Sequence, residues 1–292
     1  MSEGQGEVRA TLVECLKELH LPAFRSSYEE LARQAQQESH SYEQYLLGLT
    51  QRECQERRAR KIQRLLRDSR LPLEKSWSAL DLKRLPPKVV QQARTLLEGS
   101  FVDRRENVLV FGVPGSGKTH LLCALAQELV RSGRRVQFWT TGLLVQELLI
   151  AKRDLKLSRV LKRLAGYEAL LLDDLGYVQQ SREEMEVLFT LLAERYERGS
   201  VLLTSNLPFS GWDAIFKDPM TTAAAIDRLV HHSVILELNV PSYRLEQAQR
   251  GQQPSPEELI PEDSPTPDEG GPAARPKKAP RGDVGQESKR EK

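Results

Sequence analysis

Cysteine is scarce and scattered in this 292-residue chain: Cys15, Cys54 and Cys123 are its only three, with no C-x-x-C pair among them. That excludes a disulfide framework and a cysteine-based zinc site. Histidine is nearly as sparse; among five, His231-His232 is the only adjacent pair, and adjacent residues on a helix do not share a face. No run approaches the ~20 apolar residues of a membrane span, and the N-terminus lacks the apolar core of a signal peptide. These absences point to a reduced, cytoplasmic compartment without a membrane partner. Large net charge is missing too, yet the total of +2 hides an asymmetry. Residues 51–94 carry thirteen Lys/Arg against five Asp/Glu, whereas residues 1–50 carry four against eight. A basic block of that kind suits a polyanion partner, and equally an ordinary solvated helix face.

The length suggests about two domains of ~150 residues, and 39% hydrophobic residues supply a substantial core. Over residues 1–70 the pattern is helical. Leu12, Cys15, Leu16 and Leu19 follow the i, i+3, i+4, i+7 spacing up to Pro22. Phe24, Tyr28, Leu31 and Ala35 continue it, and a third helix from Tyr42 runs into Arg57-Arg58-Ala59-Arg60-Lys61. Residues 71–105, punctuated by Leu71-Pro72 and Leu85-Pro86-Pro87, read as a basic connector. Residues 106–250 alternate apolar strands and helices, the signature of a parallel sheet with crossover helices. The expected strands are Val108–Phe111, Val136–Trp139, Ala169–Leu172, Val201–Thr204 and Val234–Leu238. Residues 251–292 are rich in Pro, Gly, Glu and Lys, too polar to offset the entropy of ordering, and read as a disordered tail. Lys277-Lys278 within it read as ordinary solvated charge or as a targeting or DNA-contacting patch.

The most informative motif follows the first strand. Gly112-Val113-Pro114-Gly115-Ser116-Gly117-Lys118-Thr119 matches G-x-x-x-x-G-K-[ST] and precedes an apolar helix beginning near Leu121. That strand–loop–helix context is what a P-loop requires. Its backbone N–H groups can cradle phosphates at a helix N-terminus, with Lys118 reaching the β- and γ-phosphates and Thr119 holding Mg²⁺. The bound nucleotide is expected to be ATP.

Ala169-Leu170-Leu171-Leu172-Asp173-Asp174 is an apolar strand ending in two acids. Asp173 is placed to fix Mg²⁺, and Asp174 to orient or deprotonate the attacking water. Many P-loop ATPases carry Glu at the second position, so the shorter Asp174 is expected to slow hydrolysis. Thr204-Ser205-Asn206 closes another strand, and Asn206 is expected to touch the γ-phosphate or the water; alternatively it is a turn residue before Leu207-Pro208. Arg228, on a helix before the last strand, could stabilise charge on a neighbouring subunit's transferring phosphoryl group. Arg244 is a second candidate at the nucleotide. Each arginine alone would otherwise be read as a surface salt bridge.

Between the second strand and the Asp173 strand lie two helical stretches, about 141–151 and 152–164. At ~100° per residue, Lys152, Lys156, Arg159 and Arg163 fall within about 60° of one another, opposite Leu157, Val160, Leu161 and Leu164. Such a basic ridge could track a phosphate backbone with weak sequence preference. A solvated amphipathic helix has the same pattern.

Taken in order, these segments resemble the IstB-like, DnaC-related branch of AAA+ ATPases. The resemblance rests on Glu106-Asn107-Val108 with Gly112 to Leu121, on Leu172-Asp173-Asp174-Leu175-Gly176-Tyr177, and on Glu194-Arg195-Tyr196-Glu197. It continues in Thr204 to Phe209, Asp227-Arg228-Leu229 and Ser242-Tyr243-Arg244, and includes Leu16 to Pro22 and Tyr28 to Leu31, so it spans about residues 7–250. Two departures are Val240-Pro241, where the family usually has Gly, and Val113, where Pro is frequent.

The resemblance implies a P-loop NTPase (AAA+) α/β sheet behind a small all-α N-terminal domain. It implies an Mg²⁺-dependent ATPase that binds ATP at Gly112 to His120 with Arg244, and forms a homo-oligomer with ATP at subunit interfaces. Its partners would be double-stranded DNA and a transposase, as in insertion-sequence transposition helpers. DNA contacts are expected at Lys152, Lys156, Arg159, Arg163, Arg57, Arg58, Arg60 and Lys61, since initiator-type relatives line a DNA channel with a helix inserted at this place. A replicative-helicase loader shares the ATPase domain, and a non-catalytic ATP-gated scaffold would share the P-loop.

Overall fold

In the computed structural model, which describes residues 3–176, 181–212 and 219–250, all five expected strands are present. They are β1 (Asn107–Gly112), β2 (Val136–Thr140), β3 (Ala169–Leu175), β4 (Ser200–Ser205) and β5 (Ser233–Leu238). All pair in parallel in the order β2-β3-β4-β1-β5. β3 runs three residues further than its apolar run because it carries both acids to its tip. Tyr177 of the family motif and residues 251–292 lie outside the described residues.

Period-two alternation splits the sheet residues between two cores. Val108, Val110, Leu171, Leu202 and Leu236 face one side, with the helix α6 (Lys118–Arg131). Leu109, Phe111, Leu170, Leu172 and Leu203 face the other, against α7 (Thr141–Arg153), α9 (Arg182–Arg195) and α10 (Pro219–Val230). Both faces are covered, so the strands read as apolar runs without a polar face. Each fully buried Leu contributes roughly 1.5–3 kcal/mol. Asn107 joins the layers at the start of β1: its side chain donates to Leu229 O at 3.0 Å and accepts from Val201 N–H at 2.8 Å.

The N-terminal region is three helices, α1 (Glu3–Glu18), α2 (Pro22–Gln37) and α3 (Tyr42–Ser69). His20 turns the chain in the left-handed region at φ 53°, and Pro22 opens α2 rather than closing α1, a position where its missing N–H costs nothing. Ser41 and Gln44 cap α3 reciprocally. Glu53, buried on α3, accepts from Ala23 N–H at 2.8 Å and from Arg57 Nε at 2.7 Å. Burial raises the Glu53 carboxyl, but these hydrogen bonds outweigh it and hold the group below the ordinary carboxylate value. Of the α1 apolar pattern only Leu16 is buried; Leu12 and Leu19 are exposed.

Residues 71–105, read as a connector, form structure of their own: α4 (Pro87–Leu97) and the short α5 (Ser100–Asp103). Leu71, Leu85, Val89, Ala93, Leu96 and Phe101 are buried in the same core as β1 and α6. Gln127 of α6 donates to Pro72 O and Lys75 O at 3.0 and 3.1 Å.

The expected second basic helix begins later than its pattern suggests. α7 continues to Arg153, Leu155 turns left-handed at φ 58°, and α8 spans Leu157–Ala165. The turn is closed by Leu155 N–H to Lys152 O at 3.1 Å and Lys156 N–H to Ala151 O at 2.7 Å. Helices more often end so at glycine; a leucine there gives no sequence signal, and Leu155 is 95% exposed.

Candidate functional site

The site forms at the C-terminal ends of β1, β3 and β4, where parallel sheets bind ligands. The P-loop leaves β1 at Gly112 and turns with positive φ at Gly115 (81°) and Gly117 (96°), the latter capping α6. Both values lie where a Cβ is strained. Lys118 folds back so that Nζ donates to Gly112 O and Val113 O at 2.9 and 3.0 Å. Burial pulls its pKa down, and the charges of Asp174 and Asp173 oppose that shift.

Across the loop, Thr119 Oγ1 donates to Asp173 Oδ1 at 2.8 Å. This joins the two motifs expected to hold Mg²⁺ across 54 residues of chain. Asp173 is buried; Asp174, the next residue, points out with φ 60° where the β3–β4 register breaks. Asp tolerates that left-handed backbone better than most residues. Burial of the Asp174 carboxyl, and then the Asp173 charge, raise its pKa above the ordinary value.

One residue at the centre was not expected. Thr204 Oγ1 donates to Asp173 Oδ1 at 2.6 Å and accepts from Asp174 N–H at 2.8 Å. It thereby fixes both acids. Ser205 is spent on Leu175 O at 2.9 Å, and Asn206 follows the end of β4, half-buried. The apolar strand pattern that marks Asn206 as the terminal polar residue has no way to single out Thr204, whose role depends on lying beside Asp173. Thr204→Val is expected to lower ATP turnover about 10–100-fold with nucleotide affinity nearly unchanged, and Thr204→Ser to restore most of it. Steady-state turnover with nucleotide titration checks this; equal turnover in the Val variant would leave Thr204 structural.

The segment after β5 closes over the loop. Tyr243 N–H donates to Gly115 O at 3.0 Å, and a Cβ on Gly115 would meet Ser242 Oγ at 2.1 Å. Only glycine fits there. Arg244, on α11 (Tyr243–Arg250), lies close enough for its charge to act on both Lys118 and Asp174. Arg84 holds this segment: it pairs with Glu246 at 2.5 and 3.0 Å, donates to Pro241 O at 3.3 Å, and sits 4.9 Å over the Tyr243 ring. The Val240-Pro241 departure is thus accommodated, with Val240 packed on the core.

The donor set fits a bound nucleotide triphosphate with Mg²⁺. Ser116 Oγ is buried without a partner among the described residues, an orphan that a phosphate oxygen would satisfy. The loop glycines, Lys118, Thr119 and Asp173 supply the cation, the hydroxyl and the carboxylate that such a group requires.

A family model described as IstB-like ATP binding protein matches residues 14–251. The chain belongs to this family. It is similar to an insertion-sequence ATP-binding protein of Sinorhizobium fredii, 39% identical over 78% of this chain and 77% of the relative. The IS5376 ATP-binding protein of Geobacillus stearothermophilus is 37% identical over 78% and 90%, and that of IS21 from Pseudomonas aeruginosa 36% over 80% and 89%. Among solved structures, the replication initiator DnaA bound to AMPPCP and single-stranded DNA aligns with TM-score 0.51 over 65% of this chain and 59% of that one, at 16% identity. That likeness is one of fold alone.

Other expected site residues of this IstB-like chain lie elsewhere. His120 places Nε2 3.0 Å from Ser76 O, tying α6 to residues 71–80. Arg228 lies 4.7 Å over the Phe189 ring and donates to Ala224 O, with no contact to its own P-loop among the described residues. The basic ridge is split by the turn at Leu155: Lys152 belongs to α7 and pairs with Glu186 at 2.9 Å, so the single-helix wheel is corrected. Arg163 pairs with Glu147, and Lys156 lies 3.6 Å from Asp154. Arg57 is spent on Glu53 and on His20 O at 2.7 Å, and Arg60 on Glu56 at 2.9 Å. Arg58, Lys61 and Arg159 are exposed. No described helix is long and apolar enough to cross a membrane.

Proposed function

We propose that this chain is an Mg²⁺-dependent ATPase that assembles on double-stranded DNA as the helper of an insertion-sequence transposase. The observation that carries the ATPase reading is the convergence of Lys118, Thr119, Asp173, Asp174 and Thr204 at one end of the sheet. Bound Mg²⁺ would neutralise charge on the phosphates as the γ-phosphoryl group leaves. Thr119 and Asp173 would hold that ion. Asp174, with its raised pKa, accepts a proton from the attacking water, and Asn206 lies one residue beyond β4 to orient it. Arg244 completes the site from above the loop.

Arg228 stands away from its own P-loop, which supports a role at the nucleotide of an adjacent subunit in a homo-oligomer. Its stacking on Phe189 keeps a long side chain ordered on the surface. Arg228→Ala is expected to preserve ATP binding and to cut turnover on the order of 10³-fold. Mixing it with Lys118→Ala chains, which keep Arg228 but bind ATP weakly, should restore part of the activity. Undiminished hydrolysis in Arg228→Ala alone would remove the arginine from the mechanism.

DNA affinity is assigned to the exposed cations Arg58, Lys61, Lys156 and Arg159, with the paired Lys152, Arg163 and Arg60 able to exchange their carboxylates for phosphates. All of these contacts address phosphate, so sequence preference should be weak. The names of the relatives favour a transposase over a replicative helicase as the protein partner. A titration of labelled duplex DNA with and without ATP, at several salt concentrations, tests the whole reading. ATP-independent or absent binding would overturn it.

A further inference from the structure

Adjacent histidines are poor joint ligands on a helix, but His231 and His232 are not on one. α10 ends at Val230, and the pair occupies the turn before β5 with ring centroids 4.1 Å apart. Opposite them, the turn from α9 into β4 presents Glu197 in the left-handed region at φ 57°, its carbonyl held by Arg105 Nη1 at 2.5 Å. One ligand atom from each of Glu197, His231 and His232 lies within 4.8 Å of the others, and all three residues are exposed. We propose that these three residues bind a divalent transition-metal ion of the zinc class.

The chemistry of the set selects the ion. Two imidazoles and one carboxylate suit zinc and its borderline neighbours; magnesium and calcium prefer oxygen ligands alone. Zinc–nitrogen bonds of roughly 2.0–2.1 Å place ligand atoms about 3.4 Å apart in a tetrahedron. Closing from 4.8 Å therefore needs side-chain rotation of about 1.4 Å in total, which exposed groups can make without moving the backbone.

A second shell is already in place. Tyr196 Oη lies 2.9 Å from His231 Nδ1, and the same hydroxyl interacts with the Glu197 carboxylate. A partner on the second ring nitrogen is how metal-binding histidines are oriented. The neighbouring cations do not compete for the Glu197 carboxylate. Arg104 is engaged bidentately by Glu106 at 2.7 and 2.8 Å, and Arg105 by the Glu197 carbonyl. Glu197 and His232 also line an open cavity of about 390 Å³, together with Arg104, Arg105 and Glu106.

This site is separate from the nucleotide. Asn107 N–H donates to His232 O at 2.7 Å, so the cluster sits where β1 begins, whereas the P-loop follows where β1 ends. A bound ion would pin the C-terminal end of α9 to that of α10, the two helices that carry Phe189 and Arg228. The inference does not depend on the ATPase reading.

The test uses the full chain without a polyhistidine tag, stripped with chelator and titrated with zinc chloride by calorimetry. One ion per chain is expected. His231→Ala and His232→Ala should each weaken it at least tenfold, and Tyr196→Phe about tenfold, with unchanged far-ultraviolet circular dichroism. Cys15→Ser with Cys54→Ser should leave it intact, which separates this site from thiol binding. The proposal is overturned if the chain binds no zinc saturably, if the histidine and Tyr196 variants bind as tightly as wild type, or if millimolar magnesium displaces the ion.

Discussion

Lys118→Ala is expected to abolish ATP-dependent assembly on DNA and to weaken ATP binding about 10–100-fold. The magnitude follows from losing a charge-assisted contact worth roughly 1.5–3 kcal/mol, at 1.4 kcal/mol per tenfold. Nζ currently satisfies two loop carbonyls, Gly112 O and Val113 O. Those carbonyls are reachable by water at the mouth of the site, so the fold should persist. Nucleotide titration and DNA co-sedimentation with and without ATP check both halves. Unchanged assembly would sink the idea that ATP gates it. Lys118→Arg is a sharper control, because it keeps the charge but changes a compact ammonium for a planar fork. It should recover less than half of the lost assembly if position, rather than charge alone, matters.

The second large effect lies far from the phosphates. Arg195→Met is expected to destabilise the protein by about 3–5 kcal/mol, through the loss of several buried hydrogen bonds to a charged donor worth roughly 1.5–3 kcal/mol each. Arg195 is 3% exposed and forms no ion pair among the described residues. Its guanidinium instead donates to four carbonyls, Leu164 O, Tyr167 O, Glu168 O and Ser200 O, at 2.7–3.2 Å. Burial pushes its pKa down to about 10, still high enough to keep the cation at neutral pH. Gly199 is part of the arrangement, since a Cβ there would meet Arg195 Nη2 at 2.3 Å. Met would fill similar volume yet take one charged donor from each of the four carbonyls, although Leu164 O and Glu168 O keep the backbone N–H groups of Tyr167 and Ser200 at 3.1 and 3.0 Å. Chemical denaturation measures the change. A loss below about 1 kcal/mol would mean that water reaches these carbonyls.

The two effects separate cleanly by location. Lys118 belongs to a site built to meet a ligand, where one lost contact changes binding more than folding. Arg195 closes the opposite end of the sheet, joining α8, α9, β3 and β4, where a lost contact changes folding more than chemistry. Glu194-Arg195-Tyr196-Glu197 carries the family resemblance in the sequence, yet its motif alone does not say whether Arg195 meets nucleotide or backbone. Burial among carbonyls assigns it to the scaffold.

Legibility followed the range of the physics involved. The P-loop could be read directly, because its turn, its glycines and its helix start are contiguous, and each obeys a local rule. The five strands could be read as well, since burial on both faces makes each a short apolar run. The basic ridge is legible only in part. Its cations are on the surface, but the left-handed turn at Leu155 splits them between α7 and α8, and no glycine or proline marks that turn. Residues 71–105 are hardest, because their helices are short and their prolines suggest a connector, whereas seven of their apolar side chains are buried beside β1 and α6.

By itself the amino-acid order determined the class of fold, the nucleotide loop and the pair of acids, all of which depend on residues within a few positions of one another. The tertiary structure alone decided which polar groups meet. Thr204 reaches Asp173 across 31 residues, Arg195 reaches Leu164 across another 31, and Glu197 faces two histidines that a helix would have splayed apart. Periodicity and turn chemistry carry no record of strand register, of a bulge between Leu172 and Leu175, or of the residue at which a helix stops. Those are settled when the two cores pack against the sheet, and the side chains at its ends converge as a consequence.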